Sequence, residues 1–130
     1  DIILYHVDTH QVQVVQNDRD DYETYPSWSP KGDKLYYCSA YFPIMGNARH
    51  YETGNRYNEI LYDVIEQPYD IKTRKLGTPD TVFKASAMNK SALHPRISPD
   101  GKYLLVTLGD YGCFHLHHFG SDLWLKDLEK

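Results

Sequence analysis

Apolar positions along this chain either alternate with polar ones or run together in short stretches, and no long helical period is visible. Gln11-Val12-Gln13-Val14-Val15 alternates, as a half-exposed strand does. Tyr103 to Leu108 is apolar almost throughout, which predicts a strand covered on both faces. Leu4-Tyr5-His6-Val7-Asp8 and Leu123-Trp124-Leu125-Lys126-Asp127 are two further largely apolar strands ending in Asp. Tyr69-Asp70-Ile71-Lys72-Thr73 lines up with Tyr5-His6-Val7-Asp8-Thr9, with Lys72 where Asp8 stands, and Asp80-Thr81-Val82-Phe83 follows as Gln11–Val15 follows Thr9. The expectation is an all-β chain.

A stronger repeat organises these strands. Tyr25-Pro26-Ser27-Trp28-Ser29-Pro30-Lys31-Gly32-Asp33-Lys34-Leu35-Tyr36-Tyr37 recurs without a gap as His94-Pro95-Arg96-Ile97-Ser98-Pro99-Asp100-Gly101-Lys102-Tyr103-Leu104-Leu105-Val106. Ser-Pro-x-Gly places a side-chain acceptor at the start of a turn and Pro where φ is already set. Gly closes the turn, where a positive φ can lead into the next strand. Each copy therefore predicts a hairpin.

Composition narrows the function classes. Twelve Tyr, four Phe and two Trp suit a pleated, half-buried surface. A formal charge of −4, with no long basic run, argues against a nucleic-acid binder, which needs a positive patch for phosphates. No apolar run approaches the roughly 20 residues that span a bilayer, so no membrane insertion by this segment is expected. Cys38 and Cys113 are too few for a disulfide scaffold, and two buried thiols are the expected reading.

Pro-x-x-Ser-Pro-x-Gly-x-x-Leu followed by a Leu-aromatic-x-x-Asp strand resembles the WD40-like repeat of TolB-like β-propellers, most closely over His94 to Asp127. Asp110-Tyr111-Gly112-x-Phe114 ahead of Asp122-Leu123-Trp124-Leu125 also resembles TolB-like envelope proteins of Bacteroidetes. The resemblance implies a partial propeller built from four-stranded antiparallel blades, with Trp28 and Ile97 packing between blades. Residues 1–16 are then the outer strands of one blade, and 24–84 a full blade with an insertion at 42–58. Residues 94–130 are the first three strands of the next, with a shorter insertion at 109–120. It also implies a periplasmic or outer-membrane-associated setting, and faces or a central channel offered to a protein partner or a small ligand.

Candidate chemistry is sparse. No nucleophile elbow, covalent haem motif or phosphate-cradling Gly-rich loop occurs, so no catalytic residue and no cofactor is expected. His115 and His117 share one face of a strand and form a candidate metal pair. Tyr25 and His94 occupy the same repeat position on the innermost strands and are the leading candidates to face a ligand or partner. Tyr41, Tyr51, Tyr57 and Tyr111 lie in or beside the insertions, where Tyr offers contact area with a polar tip. The functional expectation is a non-enzymatic binding scaffold. The alternatives are the propeller domain of a prolyl-oligopeptidase-type peptidase and a metal- or sugar-binding propeller.

Overall fold

The computed structural model describes residues 2–15, 21–41, 61–109 and 121–130, which form ten strands and one 3₁₀ turn. β1 (Ile2–His6) and β2 (Gln11–Val15) make a first, two-stranded sheet. The second sheet orders β3 (Asp21–Trp28), β4 (Lys34–Tyr41) and β5 (Asp63–Asp70) side by side. Its fourth position is shared by β6 (Lys75–Leu76) and β7 (Asp80–Phe83), which both pair with β5. The third sheet holds β8 (Ser91–Ile97), β9 (Tyr103–Gly109) and β10 (Ser121–Asp127), with β9 central. All pairings are antiparallel. The chain is all-β, a set of antiparallel sheets compatible with part of a propeller.

The two Ser-Pro-x-Gly corners fold alike, bond for bond. Gly32 N–H donates to Ser29 O at 2.9 Å, and Gly101 N–H to Ser98 O at 2.8 Å. Lys34 N–H donates to Ser29 Oγ at 3.1 Å, and Tyr103 N–H to Ser98 Oγ at 2.9 Å. Both glycines take a left-handed φ, +70° and +78°, which a side chain would oppose. The hydroxyls differ only in their acceptor: Ser29 Oγ donates to Asp33 and Ser98 Oγ to Asp100.

Period-2 alternation then decides what each sheet buries. On β4, Leu35 and Tyr37 point one way and pack with Ile2, Val15 and Ile65. Tyr36 and Cys38 point the other way and pack with Ala92, Leu104 and Val106. The second sheet is therefore sandwiched between the first and the third. A crossing staple reinforces the second contact: Tyr62 N–H donates to Ser91 Oγ at 3.0 Å, and Ala92 N–H to Tyr62 O at 2.9 Å. Asp63 holds the intervening turn, Ala85–Met88, by accepting from both the N–H and the hydroxyl of Ser86 at 2.8 Å.

Three sequence expectations meet a different outcome. The apolar run of β9 is covered on one face only: Leu104, Val106 and Leu108 are buried, whereas Tyr103 and Leu105 are exposed, because no sheet follows among the described residues. Trp28 does not pack between sheets; it lies exposed against the ring of Tyr69, with centroids 5.2 Å apart, while Ile97 joins the core. The likeness of Leu4–Asp8 to Leu123–Asp127 is displaced by four residues. Tyr69 N–H bonds Asp33 O where Leu128 N–H bonds Lys102 O, so Leu128, not Trp124, matches Tyr69 and Tyr5. An even shift leaves every side chain on the same face, so alternation in the sequence does not reveal it.

Candidate functional site

Proline builds the site. Pairing runs from Thr24↔Cys38 to Ser27↔Tyr36, and from Leu93↔Thr107 to Arg96↔Leu105. In each sheet two residues of the first strand thus oppose one of the second, which is a β-bulge. Pro26 and Pro95 have no N–H to give the ladder, and a bulge is where a strand tolerates that loss. The residues just before them, Tyr25 and His94, take left-handed φ values of +54° and +52°. A residue with a Cβ gives up about 1 kcal/mol or more there. The same strained conformation therefore occurs at the same repeat position in two adjacent sheets.

The bulges bring those two side chains together. The rings of Tyr25 and His94 lie 4.2 Å apart between centroids, tilted by 55°. His94 is exposed and Tyr25 is half-buried against the core between the second and third sheets. Burial, and then the neighbouring Cys38, pushes the Tyr25 phenol above its ordinary range, so it stays protonated at neutral pH. Cys38 is a free, buried thiol whose own pKa is raised by burial, which leaves it a poor nucleophile. The pair forms a tilted aromatic contact with the imidazole on its exposed side.

A second cluster was not signalled by the sequence. Glu66 accepts from Lys34 Nζ at 2.7 Å and from the Tyr36 hydroxyl at 2.6 Å. These contacts follow from Tyr36 lying opposite Glu66 in the ladder, a register closed across the long stretch of sequence between β4 and β5, which hides the pairing. Burial, followed by the bond to Glu66, raises the Tyr36 phenol. The opening beside them, of about 400 Å³, is lined by Lys34, Glu66, Asp80, Lys126, Glu129 and Lys130. Its charged lining is balanced, three lysines against three carboxylates. The cleft between the twin corners is about 200 Å³ and is lined by Ser29, Asp33, Ile97 and Asp100. That is smaller than the roughly 300–1,000 Å³ of sites that enclose small molecules.

Of the other candidates, Tyr41 closes β4, and its side chain lies outside the described residues. Tyr51, Tyr57, Tyr111, His115 and His117, with Cys113, lie outside them as well. Among the described residues, no group of three His, Cys, Asp or Glu side chains is placed to hold a metal ion. A scan against protein-family models and searches of curated proteins and of solved structures each find no match.

Proposed function

We propose that this chain is a non-enzymatic binding scaffold of the TolB-like propeller kind, which presents Tyr25 and His94 to a protein partner in the bacterial cell envelope. The observation that carries the reading is the ring-to-ring pair itself. Two left-handed, non-glycine residues recur at one repeat position and meet across adjacent sheets, at a cost in backbone energy that packing elsewhere must offset. Strain of this sort collects at recognition sites, and an exposed imidazole beside a half-buried phenol suits the aromatic contacts that dominate protein interfaces. The segments 42–58 and 109–120, read from the sequence as insertions, are proposed to carry its specificity.

The test compares proteins cross-linked from an envelope extract by the intact chain and by Tyr25→Asn/His94→Asn. Asn tolerates the left-handed region and removes both rings while leaving the bulges in place. The reading expects a discrete partner recovered by the intact chain and lost with the double variant. Equal recovery by both, with unchanged circular dichroism, would remove the pair from any binding role.

A further inference from the structure

Asp followed by Gly is the dipeptide at which a main chain most readily rearranges. The glycine nitrogen attacks the carbonyl carbon of the aspartyl side chain, an approach that a Cβ on the second residue would hinder. The N–Cγ bond forms, the carboxyl OH leaves with the nitrogen's proton as water, and a five-membered succinimide results. Water then opens the ring at either carbonyl. One opening restores aspartate; the other routes the main chain through the side chain, as isoaspartate. No electrons are exchanged, and the water lost in the first step is regained in the second. Asp100-Gly101 is the one Asp-Gly pair in the sequence, which has no Asn-Gly.

Both residues stand on an exposed corner, so exclusion of water does not protect them. The hydrogen bonds of the corner do. Gly101 N–H, whose proton must leave, donates to Ser98 O at 2.8 Å. Asp100 Oδ1 accepts from Ser98 Oγ at 2.5 Å and from Lys102 N–H at 3.1 Å. Those two bonds, the hydroxyl's first, hold the carboxyl below its usual range. Ring closure needs the neutral acid, whose OH can leave, so a carboxylate kept ionised resists it. Nucleophile and electrophile are thus each tied to another partner. The turn itself does not need the pair, because the first corner closes in the same way with Lys31 before Gly32.

We propose that Asp100-Gly101 is a latent modification site, silent while the second corner is folded and open to isomerisation once that corner unfolds. Local opening of the corner is enough; the rest of the chain need not unfold. Isoaspartate places one more main-chain carbon between Ser98 and Gly101, which the turn bond from Gly101 N–H to Ser98 O does not fit. The lengthened link also disturbs the register that brings Tyr103 N–H to Ser98 Oγ. A chain that has reacted therefore carries a covalent record of having been open, at a corner it can no longer close.

Incubation of the full chain at neutral pH, once in buffer and once in guanidinium chloride, tests this. Isoaspartate is read as a second species of equal mass in the tryptic peptide Ile97–Lys102. Isomerisation is expected in denaturant and should run about tenfold or more slower in buffer, since three hydrogen bonds must be given up before the ring closes. Ser98→Ala removes the hydroxyl and keeps the carbonyl; it should react several times faster than the parent chain in buffer and equally fast in denaturant. Ser98→Thr, which keeps a hydroxyl, should stay as slow as the parent. Equal rates for the parent chain in buffer and in denaturant overturn the proposal. So does an absence of isoaspartate in denaturant, or a folded Ser98→Ala that reacts no faster than the parent. Should Ser98→Ala lose its circular dichroism, the two rates of the parent chain decide alone.

Discussion

Leu104 and Leu105 are neighbours in sequence and differ in little but the face of β9 they occupy, which makes them a sharp probe of the stack. Leu104 is fully buried between the second and third sheets, whereas Leu105 is 39% exposed on the uncovered side. Leu104→Ala removes buried methyl groups and leaves a cavity, a change that costs about 2–5 kcal/mol. Leu105→Ala gives up only part of the burial of one side chain, about 1 kcal/mol. The lower strand propensity of Ala applies to both and cancels in the comparison. Urea unfolding followed by the fluorescence of Trp28 and Trp124 measures the two costs, provided the slope against denaturant is the same in each variant. Equal costs, or a larger one at Leu105, would refute the assigned register, because a slip of one residue exchanges the two faces.

Three further outcomes follow from the same geometry. At Gly101 an added Cβ meets no atom within 4 Å, so Gly101→Ala pays only for its left-handed backbone, about 1 kcal/mol, and Gly101→Asn pays less; thermal unfolding of both variants checks the order. His94→Gly relieves a left-handed residue and is expected to be neutral or stabilising by up to about 1 kcal/mol, whereas His94→Ala keeps the strain, loses the ring contact and destabilises; the reverse order in urea would remove the strain from the account. The Asp100 carboxylate is held below its ordinary 3.8 by the Ser98 hydroxyl and the Lys102 N–H, and that of Asp70 by the N–H groups of Thr73 and Lys72. Because both folded values lie below the unfolded ones, this stabilisation is complete above the unfolded value and fades as pH falls through the folded values. Asp70→Asn/Asp100→Asn should therefore flatten the loss of stability on acidification, and an acid limb identical to that of the parent chain would contradict the assignment.

Much of the fold was legible because its corners are chemically explicit. Ser29–Gly32 and Ser98–Gly101 specify their turns through residue types that few other conformations suit, and the structure repeats their hydrogen bonds in register. The equivalence of Tyr25 and His94 followed from the same alignment. Their ring contact did not, since it depends on two bulges whose left-handed φ values no residue type at those positions announces. The Lys34–Glu66–Tyr36 cluster stayed hidden for another reason, being made by a ladder that pairs strands far apart in sequence. One-sided burial of β9 is not legible in the sequence, because an apolar run records what a strand is suited to pack against rather than what covers it.

The second sheet is covered on opposite faces by two different sheets, an arrangement that places Tyr25 beside His94. Nuclear Overhauser contacts from the adjacent rings of Tyr36 and Tyr37 to labelled methyl groups test it directly. Tyr36 is predicted to report Ala92, Leu104 and Val106, and Tyr37 to report Ile2 and Val15. Both rings reporting the same set of methyls, or neither reporting any, would mean that the second sheet is not covered by a different sheet on each face.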